Sequence, residues 1–262
     1  MLYQSLSDAP VSIHPTREGE PGRQGLSTQK GFLLMSILSV HDELSLELLT
    51  PTVRLVNGSW AGHVRRVCAS WKAEDAAACE SDGVRALVAR LRRTRPSTYT
   101  HCVRTARYSR RVGLAFGFDE PRLRQLSLTA MMHDVGKILV PERILSRPRR
   151  PTRFERYVLN LHPSFGAMLA SYYGLSAELR IRTQHHHERW DGRGYPRGLG
   201  GEDIPLMARV VQVADTFDAM VEQREYNSPR TFEDAAAELR RESGRQFDPR
   251  VVEAFLDTLP KE

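Results

Sequence analysis

The chain has 262 residues, of which 40% are apolar and 27% charged, and its formal net charge is +6. This composition excludes a disordered chain and suits one sizeable helical domain with a smaller appendage. The longest apolar runs are shorter than the roughly 18 residues that a membrane span needs, and the N-terminus has no signal-peptide pattern. We therefore expect a cytoplasmic protein that does not engage a membrane.

The three cysteines are too few and too irregularly spaced for a disulfide framework, and none forms a CxxC pair of the kind that binds zinc. Nearly all of the positive charge is arginine, and it suits an anionic partner. A phosphate-bearing small molecule and nucleic acid both fit that charge. Nothing else in the sequence favours nucleic acid, so we do not expect it as a partner.

The chain divides into three parts. Residues 1–30 are rich in Pro, Gly, Ser and charge, which predicts a flexible leader. Residues 31–84 are predicted to form a small N-terminal region of unknown type, regulatory or dimerising, and a homodimer is left open. Residues 85–262 carry repeated helix signals, which predict an all-α domain, a bundle of about seven helices.

Helix starts in this domain are marked by prolines and by capping residues, namely Pro96 and Ser97, Asp119 and Pro121, Thr152 with Glu155, and Ser176. The helix that begins at Thr152 is expected to reach His162, where Pro163 forces a bend. A largely apolar helix is predicted from about Pro205 through Glu222. It carries Asp215 in its middle, and a buried carboxylate there needs a partner.

Six of the nine histidines lie between positions 101 and 187, a clustering that suggests metal binding. The histidines outside this range are interpreted as ordinary packed residues. In the string HDVGK, residues 133–137, the adjacent imidazole and carboxylate can reach the same ion, and the carboxylate can bridge two. Gly136 is expected to let the helix end so that Lys137 turns toward the site. A compact lysine ammonium suits a phosphate group.

These residues, together with HHERWDGRGYP at 186–196, resemble the HD-GYP family of the HD superfamily of metal phosphohydrolases. The resemblance continues through IPLMARVVQVADTFDAM at 204–220 and GRQFDPRVVEAF at 244–255. It implies an HD-domain helical bundle that hydrolyses the bacterial messenger cyclic di-GMP to pGpG, with further cleavage to GMP left open.

The resemblance also implies a set of metal ligands, which are His101, His133, Asp134, His162, His186, His187 and Asp215. Two divalent ions are expected, because Ser97 stands where a trinuclear variant of the family has a glutamate. Imidazole and carboxylate donors suit iron or manganese, and no thiolate is expected at the site. Two such ions lower the pKa of a bridging water and clamp a phosphodiester. Asp134 would bridge them, and Lys137 would contact the scissile phosphate.

By the same resemblance, Gly194 and Tyr195 line the rim of the substrate site, and Arg224 contacts the nucleotide. The GYP loop is also implied to contact diguanylate cyclases. The chain departs from the family just after Arg224, because Glu225 and Asn227 stand where a proline and a basic residue are usual. We expect this change to weaken binding of the anionic substrate. Two alternatives stay open: a scaffold with little turnover, and a hydrolase of another nucleotide phosphodiester.

Overall fold

The computed structural model of the protein describes residues 80–146, 149–222 and 230–259, and the regular elements in those ranges are helices. The α-helices are α1 (Glu80–Thr94), α2 (Pro96–Ala115), α3 (Glu120–Met132), α4 (Glu142–Leu145), α5 (Arg153–Leu159), α6 (His162–Tyr172), α7 (Ala177–Gln184), α8 (Leu206–Val221), α9 (Phe232–Arg241) and α10 (Pro249–Asp257). Two 3₁₀-helices span Val135–Leu139 and Gly201–Asp203. The all-α prediction is confirmed.

The predicted leader lies outside the described residues, and so does nearly all of the predicted region 31–84. Helix α1 begins at Glu80 and therefore crosses the boundary predicted between residues 84 and 85. Its Leu87 and Leu91 are fully buried in the core of the bundle. The last residues of the predicted N-terminal region are thus continuous with the first helix of the bundle, and the boundary itself stays a prediction.

Capping residues set the predicted helix starts. Asp119 and Ser176 each accept a hydrogen bond from the backbone N–H three residues later, at the starts of α3 and α7. Thr152 and Glu155 form a reciprocal capping box at the start of α5. These contacts satisfy backbone N–H groups that have no partner within the helix. The starts predicted for these three helices, and the start of α2 at Pro96, are confirmed.

The helix predicted to run as far as His162 is shorter than expected. Helix α5 ends at Leu159, and a separate helix, α6, begins at His162 with Pro163 in its first turn. Proline lacks the N–H that would continue the preceding helix, while it is well tolerated in a first helical turn. The chain is therefore interrupted rather than bent, and His162 becomes the first residue of a new helix.

Two clusters of buried apolar side chains hold the bundle. The first joins α1 and the longer 3₁₀-helix to α5, α6 and α7, and it includes Leu87, Leu91, Met132, Leu139, Phe165 and Leu169. The second joins α2 and α3 to α8, α9 and α10, and it includes Val112, Leu126, Ala214, Phe217, Leu239 and Phe255. His133 directly follows Met132 of the first cluster, and Asp215 directly follows Ala214 of the second. Each apolar cluster therefore adjoins one of these two polar residues in the chain.

Gly136 lies where the 3₁₀-helix touches α6. A Cβ atom at this position would lie 1.9 Å from the carbonyl oxygen of His162 and 2.5 Å from the backbone nitrogen of Gly166. The expectation that Gly136 lets the helix end is wrong, because α3 already ends at Met132. Glycine is required there because two backbones approach each other too closely for any side chain.

We expect Gly136→Ala to destabilise the fold by about 1–3 kcal/mol, the usual cost of overpacking, since backbone atoms on both sides would have to move. Urea unfolding measures this loss. Gly113→Ala is the matched control, because the nearest atoms to its added Cβ belong to side chains: Cδ2 of Leu123 and of Leu126, at 2.8 Å, and Cδ2 of Phe118, at 3.4 Å. Leucine side chains can rotate away. Equal losses in the two variants would contradict the close approach at Gly136.

Candidate metal centre

The predicted ligands converge from separate elements on the interior of the bundle. His101 comes from α2, His133 and Asp134 from the turn after α3, His162 from the start of α6, His186 and His187 from the turn after α7, and Asp215 from the middle of α8. None of these seven residues is more than 7% exposed. Buried polar groups in such number require partners that offset the loss of water.

Their ligand atoms fall into two groups. His162, His186 and His187 form the first group, and His101, His133 and Asp215 form the second, with the atoms of each group within 4.8 Å of one another. In the first group, Nε2 of His162 lies 3.2 Å from Nε2 of both other histidines. In the second, Nε2 of His101 lies 2.9 Å from Oδ1 of Asp215.

Asp134 lies between the two groups. Its Oδ1 is 3.2 Å from Nε2 of His162 in the first group. Its Oδ2 is 3.8 Å from Nε2 of His101 and 3.5 Å from Nε2 of His133 in the second. One carboxylate oxygen therefore faces each group, which is the arrangement that a carboxylate bridging two cations requires.

Three of the histidines are oriented by their own backbone. Nδ1 of His133, of His162 and of His186 each lies 2.7 Å from the carbonyl oxygen three residues earlier in the chain. A carbonyl only accepts hydrogen bonds, so Nδ1 carries the proton and Nε2 presents its lone pair to the centre. Nε2 of His133 is fully buried and has no hydrogen-bond partner among the described residues. A cation is the partner that such a nitrogen suits.

The protonation states of several residues also fit a metal. Burial, reinforced by His162, lowers the pKa of His187 to about 3, and burial lowers the pKa of His186 as well. Burial alone would raise the pKa of Asp134, but the ammonium of Lys137 holds it well below its usual range. Nearby carboxylates raise the pKa values of His133 and His101 against the effect of burial, so a metal ion that binds there must displace a proton from these two imidazoles. Neutral imidazole and ionised carboxylate are the forms that bind divalent metals. These residues are therefore suited to hold such ions.

His101 is held from behind by two residues that the sequence analysis missed. Oδ2 of Asp218 lies 2.7 Å from Nδ1 of His101, and Arg104 donates to both oxygens of that carboxylate, at 2.7 and 2.9 Å. Asp218 is fully buried. It follows Asp215 by three positions on α8, and residues so spaced share a helix face, which is the signal that could have identified it.

We expect Asp218→Asn to weaken metal binding by about 10- to 100-fold, the usual effect of losing a carboxylate that orients a ligating histidine. The neutral amide of asparagine does not stabilise the positive charge that His101 acquires when its Nε2 binds a cation. Competition with a chelator for Mn(II) measures the change. Glu222→Gln is the control, because Glu222 is the second carboxylate that pairs with Arg104, at 3.3 Å. Equal affinities in the Asp218 variant and the native protein would contradict the role.

Cys102 also lies close to the centre, where the sequence predicts no thiolate. It is fully buried, and its Sγ lies within 4.8 Å of ligand atoms of His133 and Asp134. Its nearest approach is 3.9 Å to Nδ1 of His133, the nitrogen that faces away from the centre. Burial raises the pKa of the Cys102 thiol, so it stays protonated. The residue therefore packs behind His133 as a thiol.

The loop that contains the GYP motif is anchored directly behind the histidine pair. The buried carboxylate of Glu188 accepts hydrogen bonds from the backbone N–H groups of Arg197, at 2.6 Å, and Leu199, at 3.1 Å. The ring of Tyr195 stacks on the ring of His187 with centroids 5.0 Å apart. A Cβ on Gly194 would lie 2.3 Å from the backbone nitrogen of Arg189, so only glycine fits. Tyr195 thus covers one edge of the centre.

Lys137 is the last residue of the HDVGK motif, and its side chain reaches back to the predicted ligand Asp134. Its Nζ is 2.5 Å from Oδ2 of Asp134, and its side chain is 25% exposed. The ammonium is therefore next to the centre and open to solvent on one side. Arg224, Glu225 and Asn227 lie outside the described residues, so their predicted contacts with a nucleotide stay predictions.

The described helices include none that is long and apolar enough to cross a membrane.

Residues 82–251 match the HD domain family. A cyclic di-GMP phosphodiesterase of Thermotoga maritima is 40% identical over 164 residues, which are 61% of this chain and 44% of that protein. The cyclic di-GMP phosphodiesterase response regulator RpfG of Xanthomonas campestris is 43% identical over 145 residues, 53% of this chain and 38% of that protein. The 3'3'-cGAMP-specific phosphodiesterase 2 of Vibrio cholerae is 35% identical over 162 residues, 61% and 31% of the two chains.

The chain spans less than half the length of these three relatives. Among solved structures, Bd1817, an HDG"Y"P protein from Bdellovibrio bacteriovorus, superposes with a TM-score of 0.54 at 15% identity, covering 88% of this chain and 80% of that one. This likeness supports the fold. The family match over most of the helical bundle and the relatives at 40% and 43% identity show that the chain belongs to the HD-GYP family of HD-domain proteins.

Proposed function

We propose that the protein is a phosphodiesterase that uses two divalent metal ions to hydrolyse cyclic di-GMP to pGpG. The observation that carries the proposal is the position of Asp134, whose two oxygens face two separate groups of three ligand atoms. Paired divalent sites of this kind are common in enzymes that cleave phosphate esters. Imidazole and carboxylate donors favour iron or manganese over the alkaline-earth ions.

Divalent ions at these residues would polarise the phosphodiester and lower the pKa of water in the centre. The residues of the chain perform the remaining tasks. Asp134 and the five histidines fix the position of the centre, and their burial excludes bulk water from it. The ammonium of Lys137, next to Asp134, would lie against the scissile phosphate and offset the negative charge that grows in the transition state.

The substrate follows from the relatives rather than from the geometry of the centre. The proteins of Thermotoga maritima and Xanthomonas campestris are named for cyclic di-GMP, whereas the Vibrio cholerae protein is named for 3'3'-cGAMP. The higher identity to the first two favours cyclic di-GMP here. Hydrolysis of 3'3'-cGAMP is the second candidate, and Glu225 and Asn227, where the chain departs from the family, are the positions to test for it.

The proposal is tested by loading the protein with Mn(II), or anaerobically with Fe(II), and incubating it in parallel with cyclic di-GMP and 3'3'-cGAMP. We expect pGpG from the first substrate, at a higher kcat/KM than for the second. Chromatography of a time course also shows whether pGpG is cleaved onward to GMP. Faster cleavage of 3'3'-cGAMP would reassign the substrate. Two bound metals with no turnover of either would support a scaffold that binds cyclic di-GMP or diguanylate cyclases.

A further inference from the structure

Arg95 lies at the junction of α1 and α2. Its backbone N–H donates to the carbonyl oxygen of Leu91 at 2.7 Å and closes α1, and its own carbonyl oxygen accepts from the N–H of Tyr99 at 2.9 Å and opens α2. Its side chain is 16% exposed. A largely buried guanidinium needs several hydrogen-bond acceptors. The acceptors of Arg95 show which part of the fold its side chain stabilises.

The acceptors lie at the end of the 3₁₀-helix that carries Lys137. Nε of Arg95 donates to the carbonyl oxygen of Lys137 at 3.4 Å, and Nη2 donates to the carbonyl oxygen of Val140 at 2.9 Å. Nη1 donates to the carbonyl oxygen of Thr94 at 3.2 Å and pairs with Glu142. The carbonyl oxygen of Lys137 also accepts from the N–H of Val140 at 3.1 Å, and Arg95 adds a cationic donor at this C-terminal end, where the helix dipole favours positive charge. Arg95 therefore caps this 3₁₀-helix from a residue 42 positions earlier.

This cap bears directly on the placement of Lys137. The 3₁₀-helix has five residues, and helices of this type have weaker hydrogen bonds than α-helices. The ammonium must nevertheless stay 2.5 Å from Asp134 and within reach of a phosphate. The backbone carbonyl of Lys137 is one of the two in this segment to which Arg95 donates, and it is bonded directly to the Cα atom that carries the lysine side chain. A movement of that carbonyl would carry the lysine side chain with it.

We propose that Arg95 is a positioning residue that acts through Lys137. The inference rests on the proposed phosphodiesterase function, in which Lys137 contacts the scissile phosphate. The hydrogen bonds that Arg95 donates go to backbone carbonyl oxygens and to Glu142, and none of these acceptors belongs to a metal-ligating side chain. Its loss should therefore change the behaviour of Lys137 while the metals remain bound.

The position of Lys137 can be measured without any turnover. The chain has four lysines, at positions 30, 72, 137 and 261, so trace acetylation of the metal-loaded protein followed by mass spectrometry reports each one separately. In the native protein, the pair with Asp134 should make Lys137 react slowly relative to Lys261. Arg95→Gln should raise this ratio severalfold. Arg149→Gln, which removes a guanidinium bonded to a backbone carbonyl and to Glu155 far along the chain, should leave it unchanged.

Kinetics supply the second readout. We expect Arg95→Gln to lower kcat by about 10- to 100-fold with unchanged metal content, since a misplacement of 1 Å can cost about a hundredfold. In a Lys137→Met background, the same substitution should have no further effect. Arg95→Lys covers the case in which Arg95→Gln does not fold. It keeps the charge but cannot bond two carbonyls as a planar fork does, so it should give an intermediate acetylation ratio.

Three results would overturn the inference: an unchanged acetylation ratio in both Arg95 variants, an equal loss of kcat in the Lys137→Met background, or loss of the metals on substitution of Arg95. A native protein without turnover of cyclic di-GMP would instead refute the proposed function. In that case the acetylation ratio would still decide whether Arg95 holds Lys137, so the two failures are distinguishable.

Discussion

Asp134→Ala should remove both metal binding and turnover. Each oxygen of Asp134 faces one group of ligand atoms, so the substitution takes a donor from both groups at once and leaves five buried imidazoles with a single carboxylate, Asp215. Cations bind such a set weakly because less negative charge offsets theirs. We expect kcat/KM for cyclic di-GMP to fall by at least about a thousandfold, the scale on which a principal electrostatic element of a site contributes.

Metal content by plasma mass spectrometry and product formation by chromatography are measured on the same samples. Asp203→Ala is the matched control, because Asp203 is exposed on the short 3₁₀-helix Gly201–Asp203 and should retain both metals and activity. An Asp134→Ala protein that keeps two metals would show that Asp134 does not bridge them. Loss of one metal alone would show that it serves a single group.

Lys137→Met should give the second largest effect, with a different signature. Methionine keeps much of the length of the side chain without its charge, so the metals should stay bound while kcat falls by about 100- to 1,000-fold, the usual effect of removing one group that stabilises transition-state charge. Lys137→Arg should restore little, because a planar guanidinium does not reproduce a compact ammonium. Steady-state kinetics with metal content measured in parallel provide the test.

A fall in metal content together with kcat would show that Lys137 acts mainly by keeping Asp134 ionised. This alternative has a physical basis, since the same ammonium holds the pKa of Asp134 well below its usual range. Restoring the metals with excess Mn(II) separates the two roles. Recovered activity would contradict a direct contact between Lys137 and the phosphate.

Local patterns in the sequence predicted the helices well. Asp119, Thr152 and Ser176 each cap a helix by accepting a hydrogen bond from the backbone N–H three residues later. The donor and the acceptor therefore lie within four consecutive residues of the sequence. The seven predicted ligands also come together in the bundle, because they were carried over from a motif whose spacing reflects one fold. Their roles as ligands stay predictions until metal binding is measured.

Contacts between distant parts of the chain could not be predicted in this way. Asp218 supports His101 across 117 positions, and Arg95 reaches the carbonyl of Lys137 across 42. The spacing of Asp218 from Asp215 places both on one face of α8, but no pattern in the sequence pairs Asp218 with His101 or Arg95 with Lys137, because each pairing depends on how helices dock. Gly136 is similar: its sequence context suggested a helix end, whereas its real constraint is the backbone of α6.

The hydrogen bonds from Nδ1 to the carbonyl three residues earlier give the centre a modular construction. His133, His162 and His186 each carry their orientation within a single turn of their own chain segment. Each turn is thus a local unit whose own backbone orients one imidazole lone pair toward the centre. The orientation of each of these imidazoles therefore depends on four consecutive residues, and a designer could transplant such four-residue units into another helical scaffold without rebuilding the environment of each imidazole.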